Sequence, residues 1–211
     1  MEIVSTGVHF LVGSTKKWFL KNLVSEMKAS TLWLILPVAF CLGGDFVTAA
    51  ENFRVESRIE GDSVYVEAEA VITAPHALIW TTLTDYDHLS NFIPGMKSST
   101  LLRYEGDTAV VEQHGSVSFL FFSLPVDVVV NSIEQKPNRI GIEVVRGSLD
   151  RLDGAYELLQ KADGRWLVKW NGYVKPSLPL PRFITQPIIR KNIENQFAGM
   201  VTEIERRSLL N

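Results

Sequence analysis

Asp85, Tyr86, Asp87 and His88 follow one another without a break, and Pro94-Gly95 closes the same stretch, TDYDHLSNFIPGM. Carboxylates and an imidazole are side chains that bind metal ions and relay protons near neutral pH. A metal centre needs three convergent ligands at a workable spacing. His76 and His114 stand in neither a His-x-His nor a His-x-x-x-His relation to His88. Asp and His are also ordinary residues where a helix ends, because short polar side chains satisfy backbone groups that the last turn frees. The cluster reads as a turn, and no metal is expected in it.

Other reactive constellations are missing from the sequence. It holds no GxSxG elbow, no glycine-rich phosphate loop and no HExxH pattern, and its single cysteine, Cys41, lies in an apolar run near the start. A general acid or base would have to come from Glu112, His114, Asp127, Asn131 and Arg146 in strand-like segments, or from Tyr104, Tyr156 and Tyr173. Polar residues in half-buried strands mostly face water. His114 and Arg146 are the candidates for catalysis, and no cofactor is expected.

Two apolar groups stand out. Phe119, Leu120, Phe121 and Phe122 are consecutive and adjoin Ser123-Leu124-Pro125. They read either as the core of a buried strand or as an exposed tip for transient membrane contact or for gating a cavity mouth. Trp166, Val168 and Trp170 alternate on one face, with Gly172 leaving room beside them. They either pack beneath a helix or line a ligand cavity.

These residues need elements to position them. Residues 63 to 73, SVYVEAEAVIT, alternate with period two, placing Val64, Val66, Ala68, Ala70 and Ile72 on one face of a strand. Pro75 suits the first turn of a helix over 76–84, whose apolar side is Ile79, Trp80 and Leu83. After Pro94-Gly95, turn signals at Glu105-Gly106-Asp107, Lys136-Pro137-Asn138, around Leu149-Asp150 and at Ala162-Asp163-Gly164 separate short runs rich in Val, Ile and aromatics. They predict six antiparallel strands, seven with the first. The proline-rich stretch 175–181 breaks the sheet, and a helix is expected from Gln186 to about Arg207. Its stripe is Ile189, Ile193, Phe197, Met200, Val201 and Ile204, spaced by three and four. Residues 51–62 read as a lead-in and 208–211 as a tail.

The first quarter has a different composition. Lys28 precedes the apolar run Leu32–Leu42, and small residues lead to Ala49-Ala50. That is the pattern of a signal peptide over 27–50, starting at Met27 and cleaved near Ala49 or Ala50, with residues 1–26 an upstream extension. The run is short of the roughly 20 residues needed to span a bilayer, and Glu2 and Glu26 argue against an organelle transit peptide. Cleavage would remove Cys41 and predicts an exported, periplasmic or secreted chain without a disulfide. The net charge is −3, from 24 acidic and 21 basic residues. With no Lys/Arg stripe, no nucleic-acid partner is expected.

The element order, together with Ile79-Trp80, Asp85-Tyr86, Phe92-Ile93-Pro94-Gly95 and the proline-rich loop before the last helix, resembles the START-like, or SRPBCC, superfamily over roughly residues 60–207. Within it the chain is most similar to the polyketide cyclase/dehydrase and lipid-transport group, which includes coenzyme Q-binding proteins. The resemblance implies an α+β helix-grip fold over 63–207: a curved antiparallel sheet of six to seven strands around a long C-terminal helix, with two short helices after the first strand. It also implies an apolar small-molecule partner, such as a lipid, quinone or polyketide, bound by an exported carrier. The alternative is a cyclase or dehydratase using the same cavity. The inward residues expected to line that cavity are Trp80, Phe92, Trp170, Ile193, Phe197 and Met200.

Overall fold

Period-two alternation builds most of this protein, and one long amphipathic helix closes it. The computed structural model describes residues 51–119, 122–178 and 180–210. The segments read as signal peptide and upstream extension lie outside the described residues, as do Leu120, Phe121 and the side chains of Phe119 and Phe122.

Eight strands appear in chain order: β1 (Glu51–Glu60), β2 (Ser63–Ile72), β3 (Met96–Glu105), β4 (Thr108–Phe119), β5 (Phe122–Gln135), β6 (Arg139–Gly147), β7 (Leu149–Gln160) and β8 (Trp166–Pro176). Helix α1 (His76–Leu83) and a single 3₁₀ segment (Tyr86–Asn91) lie between β2 and β3, and α2 (Arg182–Ser208) ends the fold. The sheet order is β1-β2-β8-β7-β6-β5-β4-β3, every neighbour antiparallel. This is the α+β helix-grip arrangement the sequence predicts, with one strand more.

The extra strand corrects the reading of 51–62 as a lead-in. Phe53, Val55, Ser57 and Ile59 alternate with Arg54, Glu56, Arg58 and Glu60, and Val55 is buried. Gly61, at φ +61°, supplies the left-handed residue of the Gly61-Asp62 turn that pairs Glu60 with Ser63. Phe53 then reaches the core, its ring centroid 5.7 Å from that of Phe197. The turn expected near Leu149-Asp150 falls two residues earlier, at Gly147-Ser148, because Gly147 carries the positive φ of +127°.

Helix α2 begins four residues before its predicted start. Pro181, with φ −57°, occupies its N-cap, and Pro187 lies inside the helix. Pro187 has no N–H to offer the Phe183 carbonyl one turn back, a loss confined to the second turn, while its fixed φ suits a helix. The 27 residues of α2 extend roughly 40 Å at about 1.5 Å per residue. They pack on β1, β2, β4 and α1. The predicted stripe faces the core: Ile189, Phe197, Met200, Val201 and Ile204 are buried and Ile193 is partly so.

One close approach fixes where α2 sits. A methyl group on Gly199 would lie 2.5 Å from the Phe92 carbonyl oxygen and 2.6 Å from Pro94 Cδ. Gly199→Ala is therefore expected to destabilise the protein by about 1–3 kcal/mol through overpacking against backbone. A urea melt showing no loss would mean that the loop moves aside at no cost.

Candidate functional site

The inward positions of β4 to β8 and the stripe of α2 do not meet everywhere, and the space between them forms two adjoining chambers. The inner one has a volume of about 120 Å³. The outer one, about 540 Å³, lies between the β4–β5 hairpin, the loop after β8 and the first half of α2. Gln113, Leu152, Ile193 and Gln196 line both and so form the neck between them.

The inner chamber is walled by apolar side chains from α1, the 3₁₀ segment, the sheet and α2, among them Leu83, Leu89, Val111, Ile140, Phe197 and Met200. Its polar members are Tyr86, Gln113, Ser132, Tyr156 and Gln196. Tyr86 Oη lies 2.9 Å from Ser132 Oγ and donates to Glu134 Oε1 at 3.1 Å. Tyr104 donates to the same Glu134 oxygen at 3.1 Å, and Lys136 Nζ stands 3.6 Å from the other. Burial, with the negative charge of Glu134 added, raises the Tyr86 pKa beyond the ordinary phenol range, so the phenol stays protonated. Burial alone does the same to Tyr156. Its ring stacks near that of Phe197, centroids 6.5 Å apart.

The outer chamber is almost wholly aliphatic. Val117, Leu124, Pro125, Leu149, Leu178, Leu180, Ile188 and Ile189 line it, with Ser148, Ser177, Thr185 and Asn192 as its other polar residues. Among the described residues, neither chamber has an Asp, Glu, Lys, Arg or His on its lining.

Four of the six residues expected in the cavity are there: Trp170, Ile193, Phe197 and Met200. Trp80 is not. On α1 the residues buried toward the core are Ile79, Thr82 and Leu83, which turns Trp80 sideways against His76, itself 4.7 Å from the Trp166 ring. Phe92 is not there either. It lies alongside α2, under the Arg207 guanidinium at 5.4 Å.

Both catalytic candidates sit on the outer face of the sheet. Val111 and Gln113 point into the cavity, so alternation sends Glu112 and His114 outward. His114 Nδ1 meets Asp127 Oδ1 at 2.8 Å, a bond that raises the imidazole pKa, and Glu112 lies 3.7 Å from Nε2. Arg146 joins the same group, 3.6 Å from Glu112. A bulge sends it there: Val129 pairs with Arg146 and Val130 with Val144, leaving Val145 unpaired and reversing the faces beyond it. Among the tyrosines considered for catalysis, Tyr104 and Tyr173 bond to Glu134 and Glu60, and only Tyr156 reaches the cavity.

The polar cluster at 85–88 divides its labour. Asp85 receives His88 Nδ1 at 2.6 Å and Arg207 at 2.8 Å, and Asp87 accepts the Leu101 N–H at 2.7 Å. These contacts tie the turn to α2 and to β3. Tyr86 alone points inward. Among the described residues no three His, Cys, Asp or Glu side chains converge as a metal set would.

Sequence reasoning passed over Tyr86, Gln113, Ser132, Glu134 and Gln196. The signal for the strand residues was alternation applied to polar side chains: Gln113 follows Val111, and Ser132 and Glu134 follow Val128 and Val130. Tyr86 continues the Ile79–Leu83 face of α1 by one further turn.

Known proteins with this architecture hold related shapes. A STAR-related lipid transfer protein from Xanthomonas axonopodis superposes with a TM-score of 0.63 at 16% identity, covering 74% of this chain and 94% of that one. A START superfamily protein from Mycobacterium smegmatis gives 0.56 at 13% identity, over 69% and 97%. An aromatase/cyclase from Streptomyces sp. R1128 gives 0.55 at 15% identity, over 72% and 96%. At such identities the likeness establishes the fold. No curated protein matches the chain by sequence. The family model for polyketide cyclase/dehydrase and lipid transport matches residues 72–201, which run from the end of β2 to the Met200-Val201 pair on α2 and enclose the inner chamber. The chain belongs to the polyketide cyclase/dehydrase and lipid transport family.

Proposed function

We propose that the protein is an exported carrier that takes up one apolar small molecule, a lipid, quinone or polyketide-like compound, between its sheet and α2. The observation that carries this reading is a two-chamber cavity whose lining, among the described residues, consists of apolar and uncharged polar groups. Uptake is driven by desolvation, because apolar surface leaves water while the uncharged polar groups orient the ligand. The combined space falls in the range of small-molecule pockets, about 300–1,000 Å³.

A cyclase or dehydratase would need a group that accepts a proton near neutral pH. Among the described residues the ionisable side chains on the lining are Tyr86 and Tyr156, and both are shifted upward, away from a base's working range. The geometry therefore favours holding over converting. Export rests on residues 27–50 of the sequence, and transient membrane contact on Phe119, Leu120, Phe121 and Phe122. In the sequence that run stands two residues from Val117 and two from Leu124, which line the outer chamber.

Organic extraction of natively purified protein, followed by mass spectrometry, is expected to yield one apolar compound near stoichiometric amount. The intact mass of the same exported protein should correspond to a start at Ala50 or Glu51. Absence of any copurifying compound, together with no uptake of a neutral fluorescent lipid, would sink the carrier reading. A mature chain retaining residues 27–49 would sink cleavage.

A further inference from the structure

We infer that the inner chamber selects an uncharged, oxygen-bearing head group seated on the Tyr156 hydroxyl, with the apolar remainder of the ligand in the outer chamber. This rests on the carrier reading and gives it a polarity and a direction.

Size is the first argument. The inner chamber, at about 120 Å³, is close to the ~150 Å³ cavity that accepts one benzene. It takes a single ring or a compact polar end, and only the larger outer chamber has length for a chain.

Unused hydrogen-bonding capacity is the second. The Tyr86 hydroxyl is already engaged with Ser132 and Glu134. The Gln196 amide donates to Asn192 Oδ1 at 3.2 Å. Tyr156 Oη and the Gln113 carboxamide have no partner among the described residues, yet the one sealed side-chain atom without a partner is Ser99 Oγ. The Tyr156 hydroxyl therefore borders open space, on a residue that lines the inner chamber. A phenol that stays protonated offers a donor there, and leaving it unmet beside a bound ligand is costly. A carbonyl or hydroxyl oxygen on the ligand meets it.

Charge is the third. Among the described residues no cation lines either chamber, so a carboxylate or phosphate would shed its hydration for nothing. Behind the inner wall stands Glu134, a negative group bonded to Tyr86 and paired with Lys136. An ammonium head would find no carboxylate among the described lining residues either. Selection works by excluding charged heads as much as by welcoming the neutral one.

Three probes with one ring and one chain separate these terms: 4-octylphenol, octylbenzene and 4-octylbenzoate, titrated calorimetrically at pH 8 into wild type and Tyr156→Phe. The phenol is expected to bind ~10-fold more tightly than octylbenzene, one hydrogen bond's worth, and the benzoate at least ~10-fold more weakly than the phenol. Tyr156→Phe keeps the ring beside Phe197 and should bring the phenol to within ~2-fold of octylbenzene, with octylbenzene itself unchanged. Benzoate binding as tightly as phenol would overturn the head-group assignment while leaving the carrier reading intact, as would phenol affinity unmoved by the substitution. Failure of all three probes would overturn both. Should Tyr156→Phe fold poorly, the wild-type ratio of phenol to benzoate still decides whether charged heads are excluded.

Discussion

Met200→Trp is expected to weaken ligand binding by at least ~100-fold, or ~2.7 kcal/mol, while the protein still unfolds cooperatively. Met200 is almost fully buried, lies in the middle of the α2 stripe and lines the inner chamber. A tryptophan there grows into a space of about 120 Å³, so the indole occupies the place of the ligand's head. A ligand burying ~500 Å² of apolar surface gains ~12 kcal/mol at ~25 cal/mol per Å². Loss of rigid-body freedom removes ~5 kcal/mol, leaving ~7 kcal/mol and a wild-type affinity of ~10 μM. Such a value suits a carrier that must release its load. If α2 and the sheet met as solid core, the same change would instead cost about 1–3 kcal/mol in strain, lowering the melting temperature by several degrees. Thermal melts and a neutral fluorescent-lipid titration on both proteins separate these cases. A destabilised mutant of a protein that never bound lipid would refute the cavity.

The parts of this fold that were legible in the sequence are those where one face is apolar and the other is not. β2 shows it through Val64, Val66, Ala68, Ala70 and Ile72, and α2 through a stripe whose members all reach the core. β1 carries the same alternation from Phe53 to Ile59, but three charged residues in the intervening positions, Arg54, Glu56 and Arg58, make it resemble a polar lead-in. Ile59 is also more than a third exposed, as befits the end of an edge strand. Helix ends were less legible because two prolines compete for the role of first turn, and Pro181 prevails over Pro187.

The site was half legible for a related reason. Periodicity says that a residue is buried, and it does not say whether that residue meets protein or empty space. Trp170 and Phe197 meet the chamber; Trp80, equally apolar, meets His76. An eight-residue helix at the end of the grip offers too few turns to decide which flank faces the cavity. The polar lining escaped because a hydrophobic pattern skips polar letters. Tyr86 was concealed further, standing among Asp85, Asp87 and His88, whose roles are indeed those of a turn.

That turn leads to the second large effect, in acid. Glu203 is buried on α2 and accepts Arg206 at 2.7 and 2.8 Å and Arg207 at 2.7 Å, while Arg207 also reaches Asp85 at 2.8 Å. The chain of pairs clamps the segment bearing Tyr86 to the helix bearing Phe197 and Met200. Hydrogen bonds from Arg206 foremost, opposed by burial and joined by Arg207, lower the Glu203 pKa to about 2 from an ordinary 4.5. A carboxylate whose folded pKa lies below its unfolded one stabilises the protein fully above the unfolded value. The contribution is lost as pH falls from about 4.5 toward 2. Glu203→Gln should therefore cost about 2–3 kcal/mol at pH 7. The gap from wild type should narrow steadily below pH 4.5 and nearly close by pH 2. Urea melts at pH 7, 5, 4 and 3 test this, and a gap that stays constant with pH would assign the loss to packing instead of charge. Because the clamp fastens together two segments whose Tyr86, Phe197 and Met200 line the inner chamber, the same variant at pH 7 should release a bound neutral lipid faster than wild type. Unchanged release from a destabilised variant would show that the clamp holds the fold without setting the grip on the ligand.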